Sequence, residues 1–266
     1  MSGFSAQWLA LREPYDGAAR NGEVLDALAA AFAGAPAVAV TDLGCGTGST
    51  LRAISPRLPG RQNWRLVDHD EALLAAASAA APSGAGVATV ACDLARDIEQ
   101  AFGDCDLVAT SALLDLVSRA WLDRLVTCLV RMSRPLYAAL SYDGVVMLTP
   151  ETRHDAAVVD AVNRHQRTDK GFGPALGPDA ARTAPERFRR AGFAVAEGRS
   201  DWRFGVDDRD IQMEMLAGWA GAAGEIGVAP ALLDEWLGER RDYLKAGRSQ
   251  MRVGHIDFFA TPTGRR

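Results

Sequence analysis

Short apolar runs alternate along this chain with longer stretches whose apolar residues recur every three or four positions, a rhythm that predicts strands interleaved with helices. Residues 5–33 read as helix, with Val24, Leu25, Leu28, Ala31 and Phe32 on one face, Pro14 at a first helical position, and Gly34 and Pro36 as the stop. Strands are expected at 38–43, 63–67, 87–92 and 106–110, each running into a helical stretch. Of these helices, EALLAAASAAA has high intrinsic propensity, and residues 119–132 carry Trp121, Leu122, Leu125, Leu129 and Met132 as an apolar face. Residues 135–150 have the pattern of a hairpin closed by Asp143-Gly144. A helix, HDAAVVDAVNRHQR, and a Gly/Pro-rich loop come next, then a short helix at 185–191, a strand at 193–204 and helices at 208–223 and 229–246. The last strand, VGHIDFFATP, carries Ile256, Phe258 and Phe259, with His255 and Asp257 expected on a solvated face.

The junction between the first strand and its helix, VAVTDLGCGTGST, is the chain's most informative stretch. Gly44, Gly46 and Gly48 suit a backbone that turns sharply and lets a ligand lie against it, and a helix starting there aims free N–H groups at that ligand. The spacing departs from the dinucleotide pattern G-x-G-x-x-G, and no Gly-Lys-Ser/Thr follows to make a phosphate loop. Asp42, two residues before the first glycine, would repel a phosphate but attract an ammonium. Asp68 lies about 20 residues beyond the loop, where an acid can accept from both ribose hydroxyls. Asp93 closes the third strand, so three acids stand at three successive strand ends, where open α/β sheets bind ligands. Asp70 reads as a helix cap, and Asp115 either faces a substrate or caps the next helix, capping being the simpler reading.

DLGCGTG resembles the first motif of the class I S-adenosylmethionine-dependent methyltransferases. The resemblance implies a Rossmann-like, doubly wound, seven-stranded and mostly parallel sheet with an antiparallel last strand. In one domain overall, residues 1–36 form an N-terminal helical cap, 37–150 the cofactor-binding core, and 151–266 a substrate-side helical insertion that completes the sheet. It also implies a cofactor site. Asp42, Gly44, Cys45 and Gly46 would hold the amino-acid end of S-adenosyl-L-methionine, Asp68 and His69 the ribose, and Asp93 and Leu94 the adenine. Ser111 would lie beside the sulfonium, and Arg12 or Arg20 would reach the cofactor carboxylate from the N-terminal helix. SALLDL stands where enzymes that methylate base or amide nitrogens carry Asn/Asp-Pro-Pro-Tyr, and it is similar to the small-molecule branch.

Composition narrows the partners. The 266 residues hold 29 Lys and Arg against 34 Asp and Glu, a net charge of −5 with no basic run, which leaves no footprint for a nucleic-acid backbone. No apolar window is long enough to span a membrane and no leader is visible, so a cytoplasmic protein, monomeric or homodimeric, with a small-molecule substrate is expected. Cys45, Cys92, Cys105 and Cys128 lack paired spacing, and His154 and His165 lack ligand partners, so no metal is expected. Methyl transfer needs a base only when the nucleophile arrives protonated. Tyr142, His154 and His165 are the candidates, with Asp169 and Lys170 as further polar residues of the loop region. Two alternatives stand beside this reading: a non-catalytic cofactor-binding regulator and an NAD-dependent oxidoreductase.

Overall fold

The computed structural model describes residues 4–264. Two helices, α1 (Ala6–Ala19) and α2 (Gly22–Phe32), precede β1 (Val38–Leu43), α3 (Ser49–Ile54), β2 (Gln62–Asp68), α4 (Glu71–Ala79), β3 (Ala85–Ala91), α5 (Leu94–Ala101), β4 (Leu107–Ser111) and α6 (Arg119–Met132). Then come β5 (Leu136–Thr149), α7 (Asp155–His165), α8 (Ala180–Arg190), β6 (Phe193–Arg199), β7 (Trp202–Phe204), α9 (Arg209–Glu225), α10 (Pro230–Lys245) and β8 (Gln250–Pro262). The sheet order is β3-β2-β1-β4-β5-β8-β6, with β7 pairing on β8. The first five strands are parallel, and β8 enters antiparallel between β5 and β6. The expected Rossmann-like architecture is therefore present.

Apolar side chains on the two faces of the sheet feed separate cores. Leu43, Val108, Leu136 and Phe258 pack with α5, α6 and α8, while Val40, Leu66, Tyr137 and Phe259 pack with α2, α3 and α4. A third core lies along the overlong ends of β5 and β8, where Leu148, Met251 and Val253 meet Val158 of α7, Trp219 of α9 and Trp236 of α10. Here Arg240 of α10, fully buried, pairs with Asp155 of α7 and donates to the Pro150 carbonyl at 2.8 Å.

Five local expectations are corrected. The first helix breaks at Arg20, because Asn21 accepts from Val24 N at 3.1 Å and so starts α2. Pro14 sits inside α1, tolerated where it and Ala10, whose carbonyl loses its partner, are both exposed. Residues 135–150 form one strand and no hairpin: β5 pairs throughout with β8, and Asp143 and Gly144 form a bulge between the pairs Tyr142↔His255 and Val146↔Val253. Gly144 supplies its positive φ of 84° to that bulge as it would to a turn. Asp143 closes the bulge, accepting from Val145 N at 2.9 Å and pairing with Arg199 at 3.2 Å. The expected strand at 193–204 divides into β6 and β7, with Ser200 N donating to the His255 carbonyl at 2.9 Å. Finally, His255 and Asp257 are buried, since β8 is an inner strand with helices over both faces. Asp257 accepts from Leu140 N at 2.7 Å and Asn21 N at 3.0 Å, satisfying one N–H beside a second β5 irregularity and one at the start of α2.

Opposite the larger bulge, a Cβ on Gly254 would stand 2.2 Å from the Asp143 carboxylate. Gly254→Ala is expected to lower the unfolding free energy by about 1–3 kcal/mol in a urea titration, the usual cost of forcing an extra carbon into a packed site. Gly60→Ala, where a Cβ meets nothing within 4 Å, should stay within about 0.5 kcal/mol of the parent. Equal midpoints for the two variants would disprove the constraint.

Candidate functional site

β1 is flanked by β2 and β4, and the chain leaves its carboxyl end through Gly44, Gly46 and Gly48, with φ of 66°, 53° and 85°. Gly44 N and Cys45 N both donate to the Val67 carbonyl, at 2.9 and 3.0 Å, tying the loop to β2. Asp68 at the end of β2 accepts from Gly46 N at 2.9 Å with one oxygen and from Asp70 N at 3.1 Å with the other. A carboxylate has about four acceptor positions, so Asp68 holds the loop and still offers lone pairs outward. Asp70 accepts from Ala72 N and Leu73 N, the cap of α4. Asp93 is half exposed and caps α5 through Ala95 N at 3.0 Å, and Leu94 beside it is buried. His69 is exposed, 3.2 Å from Asp68.

Asp42 is different. It is wholly buried, and neither of its oxygens has a hydrogen-bond partner. Burial pushes its carboxyl up to about 8, with Asp68 adding to the rise and Arg20 opposing it. Arg20, at the end of α1, donates through Nη1 to the Tyr137 hydroxyl at 3.1 Å, while its Nε and Nη2 are buried and unpartnered. Arg12, one of the two arginines expected to reach a cofactor carboxylate, gives its Nε to Asp16 at 2.9 Å and lies over the Trp202 ring at 5.4 Å. Asp16 accepts also from Trp202 Nε1 at 3.0 Å.

Ser111, Asp115 and Ser141 each bury an unpartnered oxygen around the end of β4, Ser141 lying on the stretch of β5 that continues past it. Seven of the ten buried unpartnered side-chain atoms among the described residues belong to Arg20, Asp42 and these three, which locates a polar site at the β1/β4 switch of strand order. Two non-glycine residues with positive φ, Ala112 at 50° and Leu140 at 55°, lie beside Ser111 and Ser141, the kind of backbone strain that gathers at working sites.

α1 covers the loop. A Cβ on Gly46 would be 3.2 Å from Leu9, and Glu13 takes both ends of the Arg52 guanidinium at 2.6 and 2.7 Å while Arg52 donates to the Thr47 carbonyl at 2.8 Å. Cys45 is buried, and burial beside Asp42 and Asp68 drives its thiol far up, so it packs as a protonated side chain.

The base candidates separate. His154 pairs with Glu235 of α10 at 3.4 Å and His165 with Glu225 of α9 at 2.9 Å, so both serve contacts between helices of the third core. Lys170 bonds Thr168 at 3.1 Å, and Asp169 accepts from Gly171 N and Gly173 N within its own loop. Tyr142 does reach the site's edge, but its hydroxyl donates to Asn163 at 2.8 Å, and burial with Asp143 and Asp115 nearby holds it protonated. Asp115 caps nothing: Ser118 caps α6 by accepting from Trp121 N at 3.2 Å. The signal was in the sequence, since a helix has one N-cap and Ser118 directly precedes its first residue.

Residues 40–136 match the family model described as Methyltransferase domain. No curated protein matches the chain. Among solved structures, a Bacillus halodurans protein assigned as a methyltransferase is similar at 17% identity and a TM-score of 0.52, over 91% of this chain and 100% of that one. The Mycobacterium tuberculosis cyclopropane synthase is similar at 13% identity and a TM-score of 0.50, over 97% and 94%. A Thiobacillus denitrificans S-adenosylmethionine-dependent methyltransferase, in complex with S-adenosyl-L-homocysteine, matches at 15% identity and a TM-score of 0.45, over 97% and 99%. The family match spans the glycine loop and all three acid-tipped strands, so residues 40–136 are similar to a methyltransferase domain over the stretch that builds the site.

Proposed function

We propose that this protein moves the methyl group of S-adenosyl-L-methionine to an oxygen, nitrogen or sulfur atom of a small molecule by in-line displacement. The observation that carries the reading is the pair of opposite charges left unpartnered in the interior, Asp42 with two free oxygens and Arg20 with two free nitrogens. Their charges interact, yet no ion pair joins them within 4.0 Å. An α-amino acid zwitterion answers both, its ammonium to Asp42 and its carboxylate to Arg20, with Arg12 the second cation on α1. NAD has no such end.

The remaining roles follow the strand tips. Asp68 accepts from the ribose hydroxyls with its outward lone pairs and His69 borders the same edge. Asp93 accepts from the adenine amine, and the Leu94 backbone N–H donates to the ring. Gly44, Cys45 and Gly46 let the backbone lie against the amino-acid end, and Ser111 stands beside the sulfur. The bound cofactor supplies an electrophilic methyl on a sulfonium. The chain's part is to hold donor and acceptor in line and to keep water out, which α1 over the loop and the third core beyond the strand tips both favour. Residues 1–36 would then act as cap, 37–150 as cofactor core and 151–266 as substrate side. A small acceptor suits the net charge of −5, which gives nucleic acid no electrostatic footprint.

Calorimetry is expected to show binding of S-adenosyl-L-methionine and S-adenosyl-L-homocysteine and none of NAD. Arg20→Ala and Asp42→Asn should each weaken binding about 10- to 100-fold, the worth of a charge-assisted hydrogen bond. Binding of NAD alone, or full affinity in both variants, would refute the site. Incubation of the enzyme and a dialysable metabolite extract with isotopically labelled methyl donor should label a small molecule, and label confined to macromolecules would overturn that part of the proposal.

The pH dependence has a definite sign. With its carboxyl at about 8, Asp42 is mostly protonated at pH 7, and an incoming ammonium stabilises the ionised form. Binding at pH 7 should therefore release about one proton, read from the dependence of the calorimetric heat on buffer ionisation enthalpy, and affinity should fall as pH drops below 8. Asp42→Asn should abolish that proton release.

A further inference from the structure

Asp115 stands four residues beyond the end of β4, in the segment whose Leu113 packs over Gly44, 3.5 Å from where a Cβ would be. Its backbone carbonyl accepts from Gly177 N at 2.9 Å, which fixes the residue under the turn leading into α8. Its side chain is more than nine-tenths buried, yet Oδ1 has no partner. A buried acceptor left unmade costs about 1–3 kcal/mol, and no structural duty offsets that here, since Ser118 holds the cap.

We propose that Asp115 is the catalytic base of the transfer and that the acceptor is an acidic hydroxyl, phenolic or enolic, so that the enzyme is an O-methyltransferase. This inference rests on the methyltransferase reading above and names its substrate class. The hydroxyl oxygen forms a bond to the donor methyl carbon as the carbon–sulfur bond breaks, and that electron pair stays on sulfur. The hydroxyl proton passes to Asp115 Oδ1. The products are a methyl ether, S-adenosyl-L-homocysteine and a protonated Asp115.

The neighbours favour oxygen over an amine. Arg12 of α1 acts on the Asp115 charge, and its two Nη groups have no acceptor among the described residues. An amine that becomes cationic on methylation gains nothing from those free donors, whereas a developing phenolate or enolate accepts from them. The other titratable groups on this wall do not compete. Tyr142 of β5 is held protonated with its hydroxyl on Asn163, Arg167 beyond it pairs with Asp179 at 3.3 Å, and His255 of β8 is pushed down to about 3 by burial and by Arg12. Burial lifts the Asp115 carboxyl to about 6, so it is ionised and a competent base at neutral pH.

The test supplies wild type and Asp115→Asn with 13C-methyl-labelled S-adenosyl-L-methionine and a metabolite extract, at saturating donor so that Asp42 does not titrate in the rate. The product is read by the 13C shift of its new methyl. A methoxy product, a wild-type rate that rises through about pH 6 to a plateau, and an Asp115→Asn rate about 100- to 10,000-fold lower with donor affinity kept are expected. An N- or S-methyl product, or an undiminished variant, overturns the proposal. Should Asp115→Asn fail to fold, the wild-type profile decides, and a flat rate between pH 5 and 7 overturns it. Donor binding with no labelled product removes the transfer reading and this one with it, whereas a labelled amine or thiol removes this one alone.

Discussion

Two ionisable groups of opposite type, Asp42 on the central strand and Arg20 at the end of α1, are buried in one interior without touching. Isolated, each would cost several kcal/mol in lost solvation. The fold holds them apart by covalent and packed structure: Asp42 is locked in register between β2 and β4, and Arg20 is anchored by the Tyr137 hydroxyl just as the chain turns from α1 to α2. Neither can relax toward the other without unpairing the centre of the sheet or undoing the Asn21 cap. The rest of the site is arranged around that standoff. The glycine loop, the Asp68 bonds that hold it and the helix laid over it all converge on the same strand ends.

A second organising feature is the overlength of β5 and β8. They run 14 and 13 residues, far beyond their parallel neighbours, and carry a separate hydrophobic core past the edge of the nucleoside fold. Two bulges let this arm bend. Each is bound by a carboxylate, Asp143 at the larger and Asp257 at the smaller, and Ser141 and Tyr142 lie between the two. The third core is thus built on sheet extended past the parallel strands, with α7, α9 and α10 as its outer wall.

Much of this was legible along the chain because it is local. Glycines at 44, 46 and 48 and acids at 42, 68 and 93 fall at strand ends through the β/α alternation alone, and the helix over 119–132 has those bounds in the structure. What escaped depends on distant partners. Asp143-Gly144 satisfies a turn and a bulge equally, and only the arrival of β8, more than a hundred residues later, decides between them. His255 and Asp257 alternate with apolar residues as solvated positions do, and their burial follows from β8 being an inner strand. His154 and His165, near the two ends of one expected helix, look like candidate bases until α10 and α9 supply Glu235 and Glu225. Of the two readings open for Asp115, capping falls for a local reason, the presence of a better cap, Ser118, three residues on.

The place of β8 has a consequence for how the molecule comes into being. The last strand in the chain is an inner one, second from an edge of the sheet: among the described residues β5 has its outer neighbour, and β6 its only neighbour, solely through residues 250–262. Until these emerge during synthesis, β5 presents an open edge, the Leu140 and Asn21 amides lack their carboxylate, and β6 has nothing to pair with. Such late, long-range closure slows folding and leaves a sticky intermediate. From the completion of β5 at Thr149 until β8 begins at Gln250, a nascent chain of this protein therefore carries its five parallel strands with the β5 edge bare.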